Sequence, residues 1–144
     1  MTTVEAERLA ARIFAAFPDV ELRPETEATF VRFLVDLDYA KAEQAIEDAI
    51  STSVTMPRIG AIRRRVIEEE MVLPTAAEAW TAANERGVEL HELAREARNL
   101  LGGAWAIRTS DNPGVTRAQY LKIFEELRER ALLEANRASR RCAA

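Results

Sequence analysis

The stretch from Asp38 to Ile67 restricts the fold most strongly, because its apolar residues repeat with the period of an α-helix. The first set shares one helical face, since its members lie three or four residues apart. These residues are Tyr39, Ala42, Ala45, Ile46, Ala49 and Ile50. A second set follows Pro57 and consists of Ile59, Ile62 and Val66. We therefore predict two amphipathic helices joined by a short polar hinge, the first of them capped by the carboxylate of Asp38.

The composition extends this helical prediction to the whole chain of 144 residues. Ala, Leu, Glu and Arg dominate, and these side chains lose little rotamer freedom in a helix. Only five Gly and five Pro interrupt the sequence, and 48% of the residues are hydrophobic. A chain of this length can bury a useful core. We predict an all-α fold, a compact bundle of six or seven helices in two packed halves.

A connector at Met71–Pro74 divides the predicted halves. Residues 1–71 are predicted to form an N-terminal four-helix subdomain. Residues 74–144 are predicted to form a C-terminal helical subdomain that ends in a long helix. We find no internal repeat in the sequence.

Several helix starts are marked by local signals. Pro24 fits the first position of a helix, where its missing N–H costs nothing. Thr75 and Glu78 have the spacing of a capping box, in which each side chain accepts a hydrogen bond from the other residue's backbone N–H. Thr116 and Gln119 have the same spacing, so Thr116 is predicted to open the last helix.

Positive charge is concentrated in one predicted helix of a chain whose formal net charge is −4. The arginines are Arg58, Arg63, Arg64 and Arg65. In one interpretation they form a solvated helix face and pair with Glu68 or Glu69 at three- and four-residue spacing. In the other they form a patch that binds DNA phosphates or an acidic partner protein. Both interpretations stay open at the level of the sequence.

A helix-turn-helix that reads DNA fits this helix pair less well. The hinge at residues 51–56 is longer than that turn usually is. In addition, Glu43, Glu47 and Asp48 would face phosphates. We therefore expect any direct DNA contact to be weak and to come from the local arginine patch.

The residue patterns that usually carry catalysis are missing from the sequence. No Gly-rich loop is followed by Lys and Ser or Thr, so no ATP phosphate cradle is predicted. The single histidine, His91, and the single cysteine, Cys142, lie far apart, which argues against a His/Cys metal site. His91 is interpreted as a helix-surface residue and not as a general base. We predict no enzymatic activity, no catalytic residue, no metal and no cofactor.

A cytoplasmic location is predicted from three absences. No apolar run is long enough to span a membrane, and the N-terminus lacks the basic-then-apolar pattern of a signal peptide. A single cysteine cannot form an internal disulfide, which fits a reducing compartment. We therefore expect no membrane partner.

Both tryptophans, Trp80 and Trp105, fit core positions of the predicted helices. Trp105 also fits a second interpretation, because it lies in the short apolar link Ala104–Ile107 between two predicted loops. An exposed aromatic ring in such a link can anchor a partner protein. Trp105 therefore joins the four arginines as a candidate partner-binding residue.

Short motifs along most of the chain resemble one family. They are Phe17-Pro18, Leu37-Asp38-Tyr39, the alanine ridge ending at Ile50, Met56-Pro57-Arg58-Ile59 with Ile62, Leu73-Pro74-Thr75-Ala76-Ala77-Glu78-Ala79-Trp80, Gly102-Gly103 and Arg117-Ala118-Gln119-Tyr120. With these motifs the chain resembles the small bacteriophage and prophage replication proteins known as replicative helicase loaders or inhibitors. None of the motifs is a catalytic signature.

The resemblance implies a small helical protein that binds a hexameric replicative helicase in the cytoplasm of a bacterial host. Such proteins hold the helicase inactive and pass it to origin-bound DNA together with an initiator protein, without an ATPase of their own. The alternative is a small DNA-binding or transcription-regulating phage protein that uses the Arg-rich helix. A third candidate is a structural or host-interaction protein without nucleic-acid involvement.

Overall fold

The computed structural model describes residues 1–21 and 23–142, and of Cys142 it describes the backbone alone. Within these residues the chain has eight helices and no strand. The helices are α1 (Thr3–Ala16), α2 (Pro24–Leu34), α3 (Tyr39–Thr52), α4 (Ile59–Met71), α5 (Ala76–Asn84), α6 (Glu92–Leu100), α7 (Gly103–Arg108) and α8 (Pro113–Cys142). The predicted all-α fold is confirmed. Seven helices have nine residues or more, whereas α7 has only six.

The predicted local signals begin three of these helices, α2, α3 and α5. The side chain of Asp38 accepts a hydrogen bond from the Lys41 amide at 3.1 Å and caps α3. Thr75 and Glu78 form the predicted capping box of α5, with Glu78 Oε2 at 2.8 Å from the Thr75 amide. Because such caps satisfy backbone N–H groups that have no partner inside the helix, they fix where the helix starts.

The predicted start of the last helix is wrong by one turn. Helix α8 begins at Pro113, and Thr116 already lies in its first turn, where its amide donates to the Asn112 carbonyl at 3.1 Å. The side chain of Asn112 accepts from the Val115 amide at 3.3 Å and takes the capping role. Pro113 suits the first helical position for the same reason as Pro24.

The chain divides into two units by its internal contacts. Unit 1 contains Met1–Met71 together with the segment that starts at Glu134, and unit 2 contains Val72–Leu133. This boundary after Met71 lies within the connector named from the sequence. Helix α8 contributes residues to both units.

The last part of α8 belongs to unit 1 and not, as the sequence analysis had it, to a C-terminal subdomain of residues 74–144. Ala143 and Ala144, the last residues of that predicted subdomain, lie outside the described residues. Polar contacts hold this part of α8 to unit 1: Asn136 accepts a hydrogen bond from Arg63, and Ser139 donates one to Asp36. These long-range bonds leave no periodic signal in the sequence.

The core of unit 1 is formed by the apolar stripes of its first four helices. Its buried members are Ala6, Leu9, Ala10, Ile13, Phe14, Phe30, Leu34, Leu37, Ala42, Ala45, Ile46, Ile62 and Val66. The rings of Phe14 and Phe30 pack edge to face with centroids 5.2 Å apart. Helices α1 and α2 run antiparallel, since the N-terminal ammonium of Met1 donates to the carbonyls of Val35 and Leu37.

The core of unit 2 is centred on Tyr120, which is fully buried. Its hydroxyl lies 3.1 Å from the carbonyl oxygens of both Ala79 and Ala94, to which it can donate. These contacts connect α8 to α5 and α6. Burial raises the pKa of Tyr120 to about 12, so the hydroxyl keeps its proton and remains a donor.

Candidate functional site

Arg63, one of the four predicted partner-binding arginines, lies inside unit 1. Only 2% of it is exposed to solvent. Its guanidinium binds the Asp36 carboxylate in bidentate fashion, with Nη2 at 2.7 Å from Oδ2. Nη1 also donates to the Phe33 carbonyl, and Nε donates to Asn136 Oδ1 at 2.9 Å. With its polar atoms engaged in this way, Arg63 is a structural residue and not part of an exposed binding patch.

Asp36, the ion-pair partner of Arg63, is also buried and hydrogen-bonded. Its side chain is 5% exposed, and Oδ2 also accepts a hydrogen bond from Ser139 Oγ at 2.7 Å. Burial raises the pKa of Asp36, but the hydrogen bonds from Arg63 and Ser139 outweigh it and hold the pKa below its ordinary value. Asn136 and Ser139 were not singled out in the sequence.

A weak signal for the burial of Arg63 does exist in the sequence. Ile59, Ile62, Val66 and Ile67 follow helical spacing, and position 63 completes the same face at i+4 from Ile59. The predicted patch requires the arginines of this run to share one surface, whereas successive residues of a helix point in different directions. Arg63 therefore points to the core.

Arg64 and Arg65 lie on the outside of α4, each with an acidic partner. Arg64 Nε donates to Glu68 Oε1 at 3.0 Å, four residues along the helix, as the solvated-face interpretation predicted. Arg65 pairs with Asp48 on α3. Both arginines remain about half exposed, but their positive charge is balanced locally by these carboxylates.

Arg58 stands immediately before α4 and is exposed. Its carbonyl accepts a hydrogen bond from the Ala61 amide at 2.9 Å, and its side chain forms no hydrogen bond or ion pair within the described residues. The predicted patch of four arginines is therefore reduced to one exposed arginine beside two that are already paired.

Trp105 is 77% exposed, which is unusual for the largest apolar side chain. It lies on α7, whose other end is fixed in the core of unit 2 by Ile107. Because these residues are two positions apart on a helix, burial of Ile107 turns Trp105 outward. Leu100, near the start of this segment, is also largely exposed.

The backbone that precedes Trp105 requires glycine. Gly102 and Gly103 both have positive φ angles, 91° and 87°, a conformation that side chains disfavour. A Cβ on Gly102 would also lie 3.1 Å from the Ala106 Cβ. The Thr109 amide and hydroxyl both donate to the Trp105 carbonyl at 3.0 Å. The tryptophan is thus exposed on a short helix with a defined backbone.

Other residues considered in the sequence have structural positions. Trp80 is partly buried and packs edge to face on Tyr120 at 5.2 Å between centroids. His91 caps α6, where its Nδ1 accepts from the Leu93 amide at 3.3 Å. Across the residues that the structure describes, no group of three His, Cys, Asp or Glu side chains is placed to hold a metal ion. No helix in the same residues is long and apolar enough to cross a membrane.

The Asp36 carboxylate should make stability depend on pH. Since its pKa is lower in the folded chain than in the unfolded chain, its stabilising effect is present above about pH 4 and is lost as the pH falls through the folded pKa. In Asp36→Asn we expect the free energy of unfolding to decrease less between neutral and acidic pH than in the original chain.

Urea unfolding at a series of pH values measures this effect. Ser139→Ala provides a graded comparison, because it removes one of the hydrogen bonds that lower the pKa of Asp36. We expect it to have a pH dependence between those of the original chain and Asp36→Asn. Equal pH dependence in all three proteins would contradict the role assigned to Asp36.

No protein-family model, curated protein or solved structure matches this chain.

Proposed function

We propose that this chain is a non-enzymatic, phage-type DNA replication protein that binds a hexameric replicative helicase and regulates it by loading or inhibition. The choice of helicase as partner depends on the family resemblance of the sequence motifs. The observation in the structure that supports a protein partner is the exposure of Trp105. Exposed tryptophans are enriched among the residues that dominate binding energy in protein interfaces.

The alternative, DNA binding through the Arg-rich helix, has less support. Arg63 is buried against Asp36, and Arg64 and Arg65 pair with carboxylates. A helix that binds phosphates needs its arginines available, because affinity arises from charge neutralisation and counterion release. One exposed arginine, Arg58, fits the weak DNA contact that the sequence analysis expected.

Binding to the replicative helicase of the same phage or host tests the proposal. The purified chain should elute together with the helicase hexamer in size-exclusion chromatography. Trp105→Ala should weaken the complex by at least about 30-fold, since truncation of a central aromatic anchor costs roughly 2 kcal/mol or more. Isothermal titration calorimetry measures the affinity.

Val115→Ala is a matched control, because Val115 is an exposed apolar residue of the same unit. It should bind like the original chain. No complex at micromolar concentrations would overturn the proposal, and equal binding by Trp105→Ala would overturn the role of Trp105 as an anchor for the helicase. Tight binding to duplex DNA that falls steeply with salt would favour the alternative.

A further inference from the structure

Helices α1 and α2 form an exposed groove of about 870 Å³ on unit 1. Its lining on α1 consists of Thr3, Val4, Glu7, Arg8 and Ala11, and its lining on α2 consists of Pro24, Glu27, Ala28, Val31, Arg32 and Val35. The spacing of three and four residues shows that each helix contributes a second stripe besides the one it buries in the core. The floor is apolar, and charged residues lie among the apolar ones.

The four charged side chains of the groove are Glu7, Arg8, Glu27 and Arg32. None of them forms a hydrogen bond or an ion pair with another side chain in the described part of the chain, unlike Arg12, which pairs from the other side of α1 with Glu43 and Glu47. The formal charges of these two acids and two bases sum to zero, whereas the formal net charge of the whole chain is −4. The groove therefore suits a partner that also presents both signs of charge.

Ten of the eleven lining residues, all except Thr3, are arranged symmetrically about the middle of the groove. On α2, reversing the direction of the stripe exchanges Glu27 with Arg32 and Ala28 with Val31. On α1 the same reversal exchanges Glu7 with Arg8. Each acid is thus replaced by a base, and each apolar position is replaced by another apolar position. A surface with this property is complementary to itself.

The two centres of symmetry also lie at the same level of the helix pair. Met1 lies beside Val35 and Leu37 at one end, as its hydrogen bonds show. Counting the same number of residues forward from Met1 and back from residue 36, which lies between Val35 and Leu37, places the point between Glu7 and Arg8 opposite the point midway between residues 28 and 31. One two-fold axis can therefore pass through both centres.

We propose that the α1–α2 groove is a docking face for a second copy of this chain. The two copies are related by a two-fold axis. This axis lies in the interface and crosses both helices at the two centres of symmetry. In such an isologous contact, residue i of one copy meets residue j of the other, and j meets i. The pairs that result are Glu7 with Arg8, Val4 with Ala11, Glu27 with Arg32, Ala28 with Val31, and Pro24 with Val35. The helices pack antiparallel to their counterparts, and the small Ala11 and Ala28 permit close approach.

The contact should be weak. Eleven residues line the groove, compared with about 20–30 per side in a standard stable interface. We therefore expect a dissociation constant on the order of 100 μM. Sedimentation velocity over a concentration series should show the mass rise from 16.1 kDa towards twice that value.

Charge reversal tests the arrangement without touching the core. Glu27→Arg and Arg32→Glu should each weaken the dimer by about tenfold or more, because each puts like charges together twice in a symmetric interface. The double variant, Glu27→Arg with Arg32→Glu, should restore dimerisation to within about threefold of the original chain. Such restoration is not expected if the single variants act by damaging the fold.

Glu25→Arg is the matched control, because Glu25 is an exposed acid in the same first turn of α2 but does not line the groove. It should leave dimerisation unchanged. Ala28→Glu is an independent variant at an exposed site, and it should also weaken the dimer by placing a carboxylate on Val31. Far-UV circular dichroism checks that every variant keeps its helices.

A chain that stays monomeric at concentrations of about 1 mM, ten times the expected dissociation constant, would overturn the proposal. So would a dimer indifferent to both single reversals, or one that the double variant does not restore. The proposal is independent of the helicase partner. Trp105 lies in unit 2, so Trp105→Ala should weaken helicase binding and leave dimerisation unchanged.

Discussion

Replacing Arg63 with methionine is expected to lower the free energy of unfolding by about 3–5 kcal/mol, which is the usual cost of breaking a buried ion pair. The loss is large because the Asp36 carboxylate, whose side chain is 5% exposed, would lose its counter-charge. Asn136 and the Phe33 carbonyl would lose their partner as well. Urea unfolding followed by far-UV circular dichroism measures the change.

Two further variants separate this effect from simple loss of charge. Arg64→Met removes an arginine from the same helix, but its ion pair with Glu68 is on the surface, so a change of at most about 1 kcal/mol is expected. Arg63→Met combined with Asp36→Leu should recover much of the loss, since an apolar pair can replace a buried ion pair at little cost. Equal stability of Arg63→Met and Arg64→Met would contradict the structural role of Arg63.

The second large effect is expected in unit 2. Phe124→Ala should lower the free energy of unfolding by about 3–5 kcal/mol, through lost burial and the cavity left behind. The Phe124 ring is fully buried and stacks on Tyr120, with centroids 6.3 Å apart and planes within 8° of parallel. Thermal and urea unfolding both measure the change.

Leu133→Ala is the control for Phe124→Ala, because Leu133 lies on the same helix but is 55% exposed. A change within about 0.5 kcal/mol is expected there. Similar losses in both variants would mean that helix propensity, and not the core around Tyr120, governs the stability of this segment.

The position of Arg63 changes the functional meaning of the Arg-rich helix. A run of three arginines suggested a continuous positive surface, but the helical turn sends its members in different directions. Arg63 enters the core, Arg64 pairs along its own helix, and Arg65 pairs across to α3. What remains for a partner is Arg58 on unit 1 and Trp105 on unit 2, both exposed.

Much of the fold follows from local rules that act within a few residues. The caps at Asp38 and Thr75 and the opening proline at position 24 are confirmed, because each requires only neighbouring backbone groups. The apolar stripes of α3 and α4 also contribute to the core as predicted, since their burial follows from helical spacing. The class of fold and the starts of α2, α3 and α5 could therefore be inferred without coordinates, whereas the predicted link Ala104–Ile107 is part of α7 and α8 begins one turn earlier than predicted.

Long-range pairing could not be inferred in the same way. The bond between Arg63 and Asp36 joins residues 27 positions apart, and that between Asp36 and Ser139 joins residues 103 apart. The periodicity places position 63 on the apolar face of α4, but it does not identify the carboxylate that pairs with an arginine buried there. Only the packing of α2, α4 and the end of α8 places a carboxylate at one of them.

The same distinction holds for the candidate surfaces. The sequence names Trp105 as a possible anchor, but its exposure depends on Ile107 being taken into the core of unit 2. The groove between α1 and α2 exists only because two helices lie side by side, each with a second stripe free. Local chemistry thus determines where helices begin and which faces are apolar. Tertiary packing determines which charges are buried and which faces are left for a partner, because both depend on contacts between distant residues.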